Sequence, residues 1–321
     1  MPTDSTPPAS APDQPPIPVP EHKMIRRIGR GASGEVWLAR NALGAYRAVK
    51  IVRPRDEDHL SASEFDGVLK FEPISRLHEG LVDILQAGRN EQDGIFYYVM
   101  ELGDDIKTGQ SVTPETYSVR TLNHDIHGRG RLPVRECIRL GAELASALGF
   151  LHRQRLTHRD VKPSNIIYIN SRPKLADVGL VASMNQSRGR AGTTGFVPPE
   201  GSGTAQGDIY SLGKVLYEMC TGNSAEAYPA MPTDMGTAKN DLELAQFLPL
   251  IVRACRTSPA KRYASTDEFM TALLSFQYLP PPSPWRRGGP VERAVARVGL
   301  VVGVAFVIFI LGRLFWLLLG K

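Results

Sequence analysis

In two short runs, His158–Asn165 and Asp177–Gly179, the chain gathers two carboxylates, an ammonium and a carboxamide. His158-Arg159-Asp160-Val161-Lys162-Pro163-Ser164-Asn165 comes first, and Asp177-Val178-Gly179 follows, with its Asp seventeen residues after Asp160. No other stretch constrains the fold as much, because loops that carry such groups need a rigid scaffold to bring them together. Phosphoryl transfer needs this set: a base for the incoming hydroxyl, a cation for the moving phosphate and hard oxygen ligands for magnesium.

A second constraint lies near the N-terminus. Met24-Ile25-Arg26-Arg27-Ile28 reads as a strand and leads into Gly29-Arg30-Gly31-Ala32-Ser33-Gly34-Glu35-Val36. A Gly-x-Gly-x-x-Gly run also fits a dinucleotide-binding turn, but that turn opens a helix. Here Val36 to Arg40, a turn at Asn41 to Gly44, and Tyr46 to Val52 read as strand, turn and strand. No Lys-Ser/Thr pair follows the glycines, which excludes a Walker loop. A glycine-rich hairpin lets backbone N–H groups approach phosphates, since no Cβ intervenes.

These stretches resemble the bacterial eukaryotic-like (Hanks-type) Ser/Thr protein kinases, over about residues 22 to 276. The resemblance implies an α+β, bilobal protein-kinase-like fold, with a β-rich N-lobe over about 22–102 and an α-rich C-lobe over about 103–278. It implies ATP, with Mg2+ or Mn2+, as the nucleotide and cofactor. Gly29, Arg30, Gly31, Ala32, Ser33, Gly34 and Glu35 would cover the phosphates, with Ile28 and Val36 above the adenine and Ile167 below it. Lys50, in Ala48-Val49-Lys50, would grip the α- and β-phosphates. Its partner would be Glu64, whose helical stripe includes Val68 and Phe71, in preference to Glu72, which precedes the helix-stopping Pro73. Met100 would guard the adenine pocket, and the backbone of Glu101 and Leu102 would bind the base. Asp160 would take the substrate hydroxyl proton, Lys162 would neutralise the γ-phosphate, and Asn165 and Asp177 would hold the metal. The Lys162 position resembles the Ser/Thr-specific branch. His158 would pack beneath the loop, and His152 reads as a surface or capping residue.

The same resemblance assigns Gly192 to Glu200 to receiving a peptide, with Thr193 bonded to Asp160 or Lys162. Arg159 would meet a phosphate on the activation segment, for which Ser183 and Ser187 are candidates. Glu200 with Arg262 would brace that segment, and Asp208 would fix the catalytic-loop backbone. Two positions depart from the pattern: Val178 stands for the usual Phe, and Pro198 for Ala. The first bears on the balance of active and inactive states. A membrane scaffold that binds nucleotide without efficient turnover is the alternative. A small-molecule kinase is disfavoured by the stretch ending Pro199-Glu200.

Residues 1–21 carry eight prolines within the first twenty positions and are expected to be a disordered tail. Residues 104 to about 119 read as an insertion beside the cleft mouth. Val134 to His152 shows a helical stripe. A basic, Pro-rich linker over 279–297 precedes Val298 to Gly320, an apolar run long enough to cross a bilayer. Arg286, Arg287, Arg293 and Arg297 precede it and only Lys321 follows, which predicts a cytoplasmic kinase domain on a C-terminal, single-pass membrane anchor. Gly299, Gly303 and Gly312 leave a homodimer through this span open. The net charge of +5 comes without a long basic run, so no nucleic-acid partner is expected, and protein substrates are. Cys137, Cys220 and Cys255 form no CxxC pair and read as buried, reduced thiols.

Overall fold

In the computed structural model the described residues are 15, 17–31, 34–53, 60–90, 94–177, 182–183, 192–232 and 239–277. The expected linker and apolar span therefore lie outside them, as do residues 1–14. No helix among the described residues is long and apolar enough to cross a membrane.

The N-lobe is an antiparallel sheet of β1 (His22–Gly31), β2 (Gly34–Asn41), β3 (Tyr46–Val52), β4 (Ile84–Arg89) and β5 (Phe96–Met100), in the order β1-β2-β3-β5-β4. Alternation along β3 decides which groups face the cleft. Val49 and Ile51 pack on one side with Trp37, Ala39, Tyr97 and Val99, so Ala48, Lys50 and Val52 take the opposite side. Ala48 pairs with Met100, and Lys50 with Tyr98, across the ladder to β5.

The far side of the sheet is covered by Ile17 and Val19, each 4% exposed and packed with Trp37 and Val49. The expected disordered tail over 1–21 is thus corrected at its end: these two β-branched side chains find an apolar sheet face that nothing local in the sequence announces.

The helix α1 (Leu60–Ser75) carries the fully buried Val68 and Phe71 inward. It runs two residues beyond Pro73 instead of stopping before it. A proline in the last turn forfeits one backbone bond where few remain to lose.

The C-lobe centres on α3 (Val134–Arg153), as the stripe predicts, and α4 (Ala205–Thr221). Around them lie α2 (Leu122–Arg129), α5 (Lys239–Ala254) and α6 (Thr266–Gln277). Thr204 caps α4 by accepting a bond from Gly207 N at 3.0 Å, and Gly222 ends it in the left-handed conformation. Short strands β6 (Leu156–Thr157), β7 (Ile166–Ile169), β8 (Arg172–Leu175) and β9 (Ala182–Ser183) form two hairpin-like pairs, β6 with β9 and β7 with β8. They frame the loop that holds Asp160. The three cysteines are free and buried.

Candidate active site

The loop after β6 is held from below by one carboxylate. Asp208, near the start of α4, accepts bonds from His158 N and Arg159 N, both at 2.9 Å, and from His152 Nε2 at 2.8 Å. Arg159 has φ +69°, a left-handed backbone that costs a non-glycine residue about 1–2 kcal/mol. The two N–H bonds to Asp208 hold it there. Burial pushes the Asp208 carboxyl up, but His152, His158 and the Arg159 N–H outweigh that and hold it below its ordinary value. His152 is therefore no surface residue: it sits against Asp208 with its side chain 9% exposed. His158 is fully buried, its Nε2 3.1 Å from Ala176 O, and so packs under the loop instead of serving as a base.

Above this floor the reactive groups converge. Asn165 Nδ2 donates to Asp160 O at 2.9 Å and to Asp160 Oδ2 at 2.8 Å. Lys162 Nζ lies 2.8 Å from Asp160 Oδ2. The Thr193 hydroxyl donates to Asp160 Oδ1 at 2.9 Å and accepts from Lys162 Nζ at 2.7 Å. Thr193 thus joins both partners the sequence offered as alternatives. Gly192 makes the close approach feasible: its φ is +127° and an added Cβ would lie 3.1 Å from Arg159 O.

Across the cleft, Lys50 reaches from β3 to pair with Asp177 Oδ1. Burial raises the Asp177 carboxyl, and the charges and bonds of Lys50, then His158 and Lys162, bring it below its ordinary value. Ala176 N donates to Asn165 O at 2.8 Å, which ties the strand leading to Asp177 to the catalytic loop. Asn165 spends its amide nitrogen on Asp160, leaving a carboxamide oxygen beside a carboxylate. That carboxamide oxygen and the Asp177 carboxylate, which Lys50 meets, are donor types that suit a divalent cation carrying phosphates.

The adenine side is equally ordered. Gly29 pairs with Val36 and Gly31 with Gly34, closing the glycine hairpin. Gly34 has φ +141°, and a Cβ there would stand 2.2 Å from Ile51 O, so only glycine fits. Ala32 and Ser33 lie outside the described residues. Met100 and Ile167 both pack on the cluster of Val82, Ile169 and Ala176, which brings together the two side chains expected to guard and floor an adenine pocket. Glu101 leaves its carbonyl as the backbone group it can offer a base, since its N–H already donates to Asp83 O at 3.2 Å. Its side chain receives Lys174 Nζ at 2.5 Å.

Glu72, the second candidate for Lys50, instead takes Arg76 Nη2 at 2.6 Å. The side chain of Glu64 lies outside the described residues. Ser183 falls on β9, its backbone paired with Leu156, and Ser187 is outside. Glu200 and Arg262 form the expected bidentate pair, at 2.5 and 2.8 Å.

The insertion is the largest surprise at the site. It folds around Asp105, whose Oδ1 accepts from Lys107 N at 2.8 Å, Thr108 N at 3.0 Å and Thr108 Oγ1 at 3.1 Å, and whose Oδ2 accepts from Ser118 N at 2.8 Å. Burial alone would raise this carboxyl, yet those donors hold it at about 2. Asp104 anchors the base of the insertion to the β7–β8 turn through Asn170 N at 3.0 Å and Ser171 N at 2.7 Å. Tyr117 is 3% exposed, and its hydroxyl donates to Gly103 O at 3.0 Å, on the joint between the lobes. A tyrosine inside a run of Thr, Ser and Glu was the one available signal that this segment packs.

A family profile described as the protein kinase domain matches residues 22–277. The chain belongs to that family. Among curated relatives, it is 30% identical over 281 residues to the serine/threonine-protein kinase drp72 of Corynebacterium efficiens, covering 79% of this chain and 50% of that one. With the serine/threonine-protein kinase PrkC of Bacillus subtilis it shares 29% identity over 215 residues, 63% of this chain and 30% of PrkC. With PknA of Mycobacterium tuberculosis it shares 27% over 312 residues, 86% of this chain and 66% of PknA. The chain thus spans about a third to a half of the length of the first two. The crystal structure of the M. tuberculosis PknI kinase domain superposes with a TM-score of 0.56 at 20% identity, covering 81% of this chain and 97% of that one, which shows the fold.

Proposed function

We propose that the chain is an ATP-dependent protein Ser/Thr kinase. The observation that carries this reading is the convergence of Lys162, Thr193 and Asn165 on the Asp160 carboxylate, facing the Lys50–Asp177 pair. A substrate hydroxyl meeting Asp160 would lose its proton to that carboxylate as its oxygen bonds to the γ-phosphorus. The bond from phosphorus to the β–γ bridging oxygen breaks, and ADP leaves. Lys162 would meet the charge gathering on the transferred group, and Lys50 the α- and β-phosphates. A divalent cation, held by Asn165 and Asp177, would supply charge neutralisation across the phosphates. Thr193, fixed between base and cation, sets where the incoming hydroxyl must lie. The Lys162–Thr193 bond supports a serine or threonine acceptor, in keeping with the kinases named above.

The full-length chain, incubated with radiolabelled ATP and a mixed peptide library, is expected to label Ser- and Thr-containing peptides. Asp160→Asn should lower kcat by about 10²–10⁴-fold while nucleotide still binds. Wild-type turnover in that variant would remove Asp160 from the role of base. Label on Ser183 or Ser187, read by mass spectrometry, would extend the reading to self-phosphorylation.

The apolar run over 298–320 supports attachment to a bilayer, with the kinase domain on the side of the preceding arginines. Co-flotation of the full chain with liposomes, abolished by Ile308→Arg, is the expected result. Equal flotation of both would refute the span.

A further inference from the structure

The hinge is not the sole connection between the lobes at the cleft mouth. Arg26, on β1 and paired with Leu38 of β2, extends its guanidinium to the insertion. Its Nε donates to Pro114 O at 2.5 Å and its Nη2 to Tyr117 O, while Nη1 reaches Arg27 O at 3.3 Å. The acceptors lie 88 and 91 residues away along the chain. They belong to a segment whose own base is fixed to the C-lobe by Asp104 on the Asn170 and Ser171 amides. The segment is stiff between those ends, because the Asp105 carboxylate gathers donors from both of its limbs, Lys107 and Thr108 on one and Ser118 on the other. Tyr117 adds a third fixed point on the joint itself, through Gly103 O.

β1 is also the strand that runs into the glycine hairpin. Gly29 stands three residues beyond Arg26, a strand distance of about 10 Å. The ladder to β2 shifts register between Arg27 and Gly29, so what fixes Arg26 constrains, through that bulge, the height of the glycine hairpin relative to Ile167. The guanidinium is charged, so the contact is charge-assisted, and the acceptors are backbone carbonyls, so no particular side chain at 114 or 117 is needed to accept it.

We propose that Arg26 is a positioning residue for the nucleotide: it latches the roof strand to the insertion, and residues 104–119 act as a second strap that limits how far the lobes part. This rests on nucleotide being held between the glycine hairpin and Ile167. The strap acts before chemistry, on entry and exit. It therefore governs nucleotide affinity and release, whereas the phosphate-transfer step depends on Asp160 and its partners, which Arg26 does not touch.

The test uses the full-length protein and a fluorescent ADP analogue released in stopped flow, beside steady-state kinetics. Arg26→Ala is expected to speed ADP release and raise KM for ATP by about tenfold, with kcat not reduced and melting temperature little changed. Arg26→Lys, which keeps the charge but gathers its donors on a single nitrogen, should recover part of the affinity. Tyr117→Phe, which removes only the hydroxyl bond to Gly103 O, should shift release in the same direction by a smaller factor. Unchanged release and KM in Arg26→Ala would overturn the proposal. So would an equal fall in kcat with no change in KM, or a loss of melting temperature that alone accounts for the defect. A wild-type chain that binds nucleotide but transfers no phosphate would sink the kinase reading while leaving the release measurement decisive for Arg26. A wild-type chain that binds no nucleotide would end both.

Discussion

Thr193 carries two opposed demands with one hydroxyl: it gives its proton to Asp160 and takes one from Lys162. No other side chain at that position can do both at the same size except serine. Thr193→Ala should leave Asp160 with its direct Lys162 pair but without the hydroxyl that fixes Oδ1, and lower kcat by about ten- to a hundredfold, with nucleotide affinity retained. Thr193→Ser should restore most of the rate. Peptide kinetics on the full chain decide this, and an alanine variant at wild-type kcat would mean the hydroxyl is dispensable. How far the sequence carried the site can be judged at this scale. Asp160, Lys162, Asn165 and Asp177 lie within eighteen positions, so their chemistry was legible as a string. The glycines were legible because Gly34 and Gly192 occupy backbone conformations that other residues rarely adopt. His152 was not, since its meaning comes from Asp208, fifty-six residues away. Arg26 was not, since it bonds to carbonyls, and carbonyls leave no trace in the residue pattern.

Elements carry the acid sensitivity. The insertion is organised by a carboxylate held at about 2 against an ordinary 3.8. Its folded state binds a proton less readily than the unfolded chain. The stability it confers is complete above about pH 4 and drains as pH falls from there toward 2. The α4 carboxylate of Asp208 and the Asp177 group are depressed as well and act with the same sign. Thermal melts of the wild type should therefore fall steeply through this window. Asp105→Asn should flatten part of the slope, because the carboxamide oxygen still accepts but no longer titrates. Identical slopes in both proteins would show that the insertion opens without protonation. The other element-scale lesson is α1. Pro73 reads as a stop in isolation, yet the buried Val68 and Phe71 draw the whole helix onto the sheet, and packing overrides a local preference in the last turn.

At the scale of the molecule, two distant pieces of chain brace the lobes. Ile17 and Val19 close the outer face of the N-lobe sheet. Ile17→Ala together with Val19→Ala should cost about 2–5 kcal/mol and lower the melting temperature without altering the reactive groups. A kinase-domain fragment begun at residue 22 should show the same loss, and no loss in either would mean that this packing contributes nothing. Arg262, fully buried, gives its guanidinium to both Glu200 oxygens and to the carbonyls of Gln206, Arg256 and Thr257. Arg262→Ala should cost about 2–3 kcal/mol, since a buried guanidinium loses its packing and its charge-assisted bonds while the partly exposed Glu200 carboxylate can turn to water. The expectation of two lobes, which the family resemblance implied, holds, because the motifs that carry the resemblance are short local runs. The Glu200–Arg262 pair was expected from the family resemblance, whereas the packing of Ile17 and Val19 behind the sheet and the reach of Arg26 to the insertion were not, because no local pattern announces the surfaces they meet.

The three thiols described as free and buried give the C-lobe a built-in reporter. Burial lifts Cys220 and Cys255 to about 12 and Cys137 well above its ordinary value, so at neutral pH almost none carries the thiolate that alkylating reagents require. Cys137 lies in α3, Cys220 in α4 and Cys255 just beyond α5. A reagent can capture them only in the instants when those helices separate, so the pace of labelling clocks the rare breathing of the helical half, without any engineered probe.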